Sequence, residues 1–466
     1  MSVVAAFAVP HPPLAVAGVG RGQEHGIAST LEGYREVARR IAQIDPDVLV
    51  FSSPHATAYQ DYVHISPGTG ATGDFARFGD PDDELETGYD AELVRAICAE
   101  AALAGVPAGC EGERDPALDH GTMVPLSFIQ QAGVRCPIVR MGISGLPALE
   151  HYRLGTCVER ACERLDRRAV YVASGDLSHK LLDDGPYGYA PEGPAFDRQV
   201  CAAFADADFG ELLELDRDFC ERAAECGLRS FQIMAGTMDG RAVTGELLSY
   251  EGPYGVGYGV AAFVPGNPDP ARRFGELHAE RRRAAIERAR ASEDPWVRLA
   301  RTSLETYVRT GKPLELTAEL LAGLPEELRS TRAGAFCSIK KDGELRGCIG
   351  TIGPCRACLA EEIAENAVSA GTCDPRFDPI TPDELGDLIY SVDVLGRPER
   401  IEGTAGLDPA RYGVVVSAPD GRRGLLLPDL AGVDTAEEQV AIARRKGGIR
   451  PDERVELERF EVVRHH

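Results

Sequence analysis

The sequence predicts an α/β fold, a largely parallel sheet covered by helices, followed by a second domain of α+β class. Three observations carry this. In the first part of the 466-residue chain, short apolar runs rich in β-branched residues alternate with longer segments of helical period, the order in which parallel strands are joined by crossover helices. A stretch dense in proline and glycine then breaks the alternation. Beyond it, apolar runs return without a regular strand–helix order. A chain of this length also exceeds what a single core organises, so two domains are expected.

Taken in order, "VVAAFAV" near the start reads as a buried strand, because it ends in turn residues and no basic leader precedes it. "VLVFSSP", "CPIVRMGIS" and "AVYVASGDLS" read the same way, each running into proline, serine or glycine. Helical periodicity covers residues 31–44 and 89–104 between them. Ligand chemistry then belongs at the carboxyl ends of the strands, where loops begin. The first domain is assigned to residues 1–265, ending in "FVPGNPDPARRF". "ELHAERRRAAIERARA" follows, a charged segment of high helix propensity read as a linker helix within 266–294, its arginines forming a solvated face. The second domain, 295–466, contains the strand-like runs "GAFCSIKK", "LIYSVDVLG" and "YGVVVSA".

Charge narrows the partners. With 50 Lys and Arg against 74 Asp and Glu, the net charge is −24, the wrong sign for a protein that binds nucleic acid through its phosphates. No apolar run reaches bilayer length, and a cytoplasmic protein is expected. The 13 cysteines are scattered and odd in number, which fits reduced thiols better than a disulfide framework. Cys355 and Cys358 form a CxxC seven residues beyond Cys348, but no second CxxC accompanies it, so a zinc site there is disfavoured.

Four of the ten histidines stand where strand-like runs end or a helix begins: His11, His55, His120 and His179. Alone, each would be an ordinary turn residue. Together at one edge of a sheet they are what a metal or catalytic cluster requires. His11 and His55, from two strands, would supply imidazoles to one divalent ion. With a carboxylate they would form the facial triad of non-haem ferrous enzymes.

The strings "VPHPP", "SSPH", "LDHGTMVPL" and "SGDLSH", in this order, resemble the class III extradiol ring-cleaving dioxygenases of the protocatechuate 4,5-dioxygenase beta-subunit type, whose relatives include the Memo proteins. The resemblance spans about residues 1–265 and implies an αβα sandwich. It implies further that His11 and His55 bind the metal, that His179 is the acid and base beside the substrate, and that His120 reaches the pocket from the Asp119-His120-Gly121 turn. The third ligand of the dioxygenases is a glutamate, for which the matching stretch "RAAECGLRSFQIMAGTM" offers Glu225. Cys226 is its rival, because Memo proteins carry a cysteine followed by glycine near this place. A carboxylate suits ferrous iron, and a thiolate would tilt the site toward zinc or copper. Glu251, in a Gly-rich segment that reads as a loop before the last strand, is a third candidate. Asp176 is placed either to orient His179 or to cap a turn.

The implied reaction uses a small catecholic substrate and dioxygen, with His179 moving a phenolic proton and His120 donating to a developing oxyanion. Two other readings stand beside it: hydrolysis or another metal-dependent reaction, and metal or peptide binding without turnover.

From about residue 295, "LRGCIGT", "DPRF", "GLLLP" and "RKGGI" resemble the AMMECR-type domain family. Cys348 lies between glycines where a small ligand can approach closely, and Arg346 beside it would make the thiol more acidic. The alternative is a buried structural cysteine. Arg376 and Lys446 are candidate anion-binding residues, or solvated surface. The pairing of the two resemblances is that of a grouping in which AMMECR, Memo and radical SAM proteins occur together, and it implies a radical SAM enzyme as partner. An oligomer is compatible with all of this.

Overall fold

The computed structural model describes residues 2–112, 117–430 and 432–466. The chain divides into two compact units, one up to Arg281 and one from Arg282.

The first unit is built on six strands: β1 (Val3–Val9), β2 (Val48–Ser52), β3 (Ile138–Met141), β4 (Ala169–Ser174), β5 (Arg241–Glu251) and β6 (Tyr258–Pro268). They lie in the spatial order β3-β2-β4-β1-β6-β5. β1 to β4 run parallel, and β6 is antiparallel to both β1 and β5. Every residue of β2, β3 and β4 is buried, as expected of parallel strands covered on both faces.

Alternate side chains feed two cores. Ala6, Ala8, Val50, Val139 and Tyr171 join one cluster, while Ala5, Phe7, Leu49, Phe51 and Val172 join the other. Helices α2 (Ala91–Ala104), α4 (Ala148–Arg164), α5 (Glu192–Asp206) and α6 (Leu228–Gly236) cover the first face, and α1 (Ala28–Ile44) and α3 (His120–Gln131) the second. This is the αβα sandwich. Each helix turns an apolar stripe inward: α1 buries Leu31, Tyr34, Val37, Ala38 and Ile41, residues at the spacing of one helical face.

One strand runs past its expected end. β6 continues through Pro265 to Pro268, where the sequence reads as a boundary. Its pairing with β1 stops at Phe263, and from there it pairs only with β5. A proline lacking an N–H is tolerated where one edge of the strand carries no partner. The charged segment forms one helix, α7 (Phe274–Ser292), with Ile286 its buried residue.

The second unit contains α8 (Pro295–Thr310), β7 (Ala335–Lys341), β8 (Glu344–Gly350), α9 (Leu359–Thr372), β9 (Leu388–Leu395), β10 (Glu399–Ile401), β11 (Gly413–Ser417), β12 (Arg423–Leu426), α10 (Ala436–Lys446), β13 (Glu456–Phe460) and β14 (Val462–His465). Two antiparallel sheets form, in the orders β8-β7-β9-β14 and β10-β13-β11-β12. With the helices packed on them, this is an α+β unit. No helix among the described residues is long and apolar enough to cross a membrane.

Candidate metal centre

The parallel strands deliver their carboxyl ends to one edge of the sheet. β1 ends two residues before His11, β2 three residues before His55, and β4 runs directly into Gly175 and Asp176, with His179 following. His120 is the first residue of α3. Each imidazole therefore stands on a short loop anchored by a buried strand or helix, which limits how far it can move.

His11 is the most firmly held. It is 1% exposed, and its backbone N–H donates to Asp176 Oδ1 at 2.8 Å. Its Nδ1 lies 3.0 Å from Ser174 Oγ, and that hydroxyl donates to the Gly121 carbonyl at 2.6 Å. A serine has one proton to give, so His11 Nδ1 is the donor and Nε2 carries the bare lone pair. That Nε2 sits 3.0 Å from His55 Nε2 and 3.7 Å from Cys226 Sγ. Two ring nitrogens so close need a proton or a cation between them. The three donors His11, His55 and Cys226 all lie within 4.8 Å of one another, close enough for one ion to be bound by bonds of about 2.0–2.3 Å.

Burial disfavours the charged form of these rings, and metal binding needs the neutral one. It pushes His11 well below the ordinary imidazole value, with His55 adding to the effect. It lowers His55 as well, and His120 falls to about 3, from burial first and then from the other two rings.

His120 stacks obliquely on His55 with ring centroids 3.9 Å apart, yet it lies outside the donor groups within reach of a common ion. Asp119 fixes it there. The Asp119 carboxylate caps α3 by accepting from the Thr122 N–H at 3.0 Å and the Thr122 hydroxyl at 2.9 Å, and it also accepts from the Ser53 hydroxyl. A Cβ on Gly121 would lie 2.4 Å from Ser53 Oγ, so a larger residue there would push aside the hydroxyl that ties the His55 loop to Asp119.

His179 Nδ1 donates to the Ala224 carbonyl at 2.5 Å, which leaves its Nε2 lone pair facing Asp176 Oδ2 at 4.0 Å. Ala224 adopts a left-handed conformation, φ 54°, and this turn presents its carbonyl to the ring. Asp176 thus does more than cap a turn: one oxygen holds the His11 backbone, and the other lies 3.8 Å from His11 Nε2 as well as near His179. Burial lifts Asp176 to about 6.

The two rivals for the third ligand part company. The Glu225 carboxylate turns away to accept from the Leu228 N–H at 2.7 Å, at the start of α6; Cys226 supplies the donor atom near His11. A carboxylate placed just before a helix finds unpaired N–H groups and the positive end of the helix dipole close by, which is the local reason Glu225 does not reach His11. Glu251 is also occupied elsewhere, accepting from the Thr30 N–H at 2.6 Å and hydroxyl at 2.7 Å. The Cys226 loop lies against β4 at two glycines: a Cβ on Gly175 would stand 2.1 Å from Gly227 Cα. Ser174 and Ser53, which orient His11 and tie the His55 loop to Asp119, are not singled out by the sequence pattern; their signal is a serine ending one buried strand and a serine just past the end of another.

In the second unit, Cys348 on the edge strand β8 is half-buried. Ser338, opposite it on β7, donates to its sulfur at 3.2 Å. Arg346 does not act on the thiol as the sequence suggests: Glu384 holds its guanidinium at 3.0 and 2.9 Å and the Asp378 carbonyl at 2.8 Å. Burial raises the Cys348 pKa, so the thiol is not an activated one. Arg376 pairs with Asp374 at 2.7 Å, and that carboxylate accepts from the Cys348 N–H at 2.9 Å. Lys446, ending α10, is pushed down by partial burial. Among the described residues, Cys355 and Cys358 join no metal-ligating group.

Residues 5–261 match the family model of the catalytic LigB subunit of aromatic ring-opening dioxygenases, and residues 297–465 match that of AMMECR1. A protein of Clostridium acetobutylicum is 40% identical over 482 aligned positions, covering 100% of this chain and 99% of its own length. A protein of Thermotoga maritima is 50% identical over 175 positions, 37% of this chain and 98% of its own. Among solved structures, an uncharacterized protein of Pyrococcus horikoshii shares 31% identity, with 36% of this chain and 88% of that one covered, at a TM-score of 0.33.

Proposed function

Since the chain belongs to the family of the catalytic LigB subunit of aromatic ring-opening dioxygenases and carries an AMMECR1 domain behind it, we propose that the first unit is a metal-dependent enzyme that opens a catecholic ring beside its diol. The observation that carries this is the pair of imidazoles whose Nε2 atoms stand 3.0 Å apart, with the Cys226 sulfur 3.7 Å from one of them. Iron(II) held by His11, His55 and Cys226 is the ion we assign.

When bound, such an ion draws a diol and dioxygen into one coordination sphere. The chain's own part is positional and protonic. Ser174 holds the His11 ring in the tautomer that offers Nε2, and Asp176 fixes the backbone from which that ring projects. His179 keeps its Nε2 lone pair free beside the centre, where it accepts a phenolic proton and later returns it. His120, capped into place by Asp119, gives the pocket a neutral ring that donates to negative charge developing on the substrate.

A second reading has one observation in its favour. The third donor is a sulfur rather than a carboxylate, and soft ligands select zinc or copper more readily than iron. In that case the same centre supports hydrolysis or a different redox reaction. Metal analysis of protein purified without air, followed by oxygen-uptake assays with a panel of catechols, separates the two. Iron together with catechol-dependent oxygen uptake, both lost in His55→Ala, is the expected result. Zinc or copper with activity indifferent to oxygen would replace the first reading by the second.

A further inference from the structure

Cys226 belongs to two donor groups. Its sulfur completes His11 and His55 on one side; on the other, it lies with Asp176 and His179, and those three ligand atoms again fall within 4.8 Å of one another. The second group is preformed. His179 Nδ1 is spent on the Ala224 carbonyl, so only Nε2 faces the group. Asp176 has Oδ1 engaged by the His11 N–H and Oδ2 uncommitted, 4.0 Å from His179 Nε2. An imidazole, a carboxylate and a thiolate form a complete three-ligand set for a borderline or soft divalent ion, with water in the remaining position. A thiolate sulfur has lone pairs enough to bridge two ions.

We propose that the site holds a second divalent cation of zinc-like chemistry, bound by Asp176, His179 and Cys226 beside the first, and that filling this position silences the enzyme. The inference rests on the reading that His179 carries a proton during turnover. An imidazole whose Nε2 lone pair is given to a cation accepts no proton there, since Nδ1 is already committed to Ala224. The first ion therefore supports turnover, and the second removes the proton carrier. Ligation balances simply: the Cys226 thiol releases its proton to solvent when the first ion binds, and the second ion binds to the sulfur, carboxylate and imidazole as they then stand.

The test is stoichiometry, read independently of activity. Full-length protein stripped with a chelator is titrated with zinc(II) and the bound metal counted after equilibrium dialysis. Wild type is expected to take up two equivalents, the second more weakly. His179→Ala and Asp176→Asn are each expected to take up one, with circular dichroism unchanged. In wild type loaded first with one equivalent of iron(II), zinc should bind in addition and abolish oxygen uptake. A single equivalent in wild type, or two in both variants, overturns the second position and leaves the ring-opening reading intact. Failure to bind even the first equivalent would instead remove the reading on which it rests.

Discussion

His11 Nε2 and His55 Nε2 stand 3.0 Å apart, although 44 residues separate them and each rides on a different strand of the sheet. β1 and β2 are not neighbours; β4 lies between them. The two loops converge over the end of β4, and β4 itself supplies Ser174 to one ring and leads into Asp176 beneath it. The contact between the rings is therefore made by strand order, with the middle strand acting as the spacer.

The division of labour between Glu225 and Cys226 gives the sharpest test. Cys226→Ser should weaken metal binding by at least the roughly 100-fold that loss of a group merely supporting a ligand can cost. Glu225→Gln should leave metal content unchanged and cost about 0.3–1 kcal/mol of stability, because its charge serves the start of α6. Metal content by mass spectrometry and denaturant unfolding read the two effects. The reverse pattern would restore Glu225 as the ligand.

Ser174 never needs to touch an ion, yet it sets the tautomer of His11. Ser174→Ala leaves Nδ1 without its acceptor, and metal affinity should fall about 10- to 100-fold with the fold intact. Competition against a fluorescent chelator measures this. An unchanged affinity would mean that the ring is oriented by packing alone.

Glu159, packed between the Val3 N–H and Arg241, is raised by burial from an ordinary value of 4.5 to about 7. A carboxyl with a raised folded-state pKa binds its proton more tightly in the native than in the unfolded chain. Stability from this group is therefore full below about pH 4.5 and is lost as pH rises toward 7. The loss amounts to about 3 kcal/mol at most. Glu159→Gln should flatten the fall between pH 5 and 8 in urea midpoints. A variant as pH-sensitive as wild type would show that other groups govern that window.

In the second unit, a Cβ on Gly347 would sit 2.1 Å from the Ala370 carbonyl oxygen of α9. Backbone meets backbone there, so no rotamer change relieves it. Gly347→Ala should cost on the order of 1–3 kcal/mol, seen as a lowered melting temperature, while Cys348→Ser beside it should cost less. Equal losses would shift the importance of "LRGCIG" from the glycine to the thiol.

What could be read in advance follows the range of the forces involved. The strand-end histidines were visible because a β-rich run followed by proline, serine or glycine is a local pattern, and parallel strands put their carboxyl ends on one side. Both donor groups drew on those positions. The choice between Glu225 and Cys226 was not, because the two are adjacent in a turn and only the amides of α6 decide which way each points. Arg346 shows the same limit over a longer distance: its partner Glu384 lies 38 residues away, and nothing near "LRGCIG" announces it. β6 ran on through two prolines because the absence of a neighbour on one side, a property of the whole sheet, permitted it.

The close approach of Gly175 and Gly227 makes the reach of the thiol a matter of what is missing rather than what is present. A methyl group on Gly175 would meet the backbone of the cysteine loop, and one on Gly227 the Phe231 ring, so either would displace the thiol without altering one of the side chains around it. Anyone grafting this donor set onto another scaffold would have to copy that bare seam along with the three side chains it brings together.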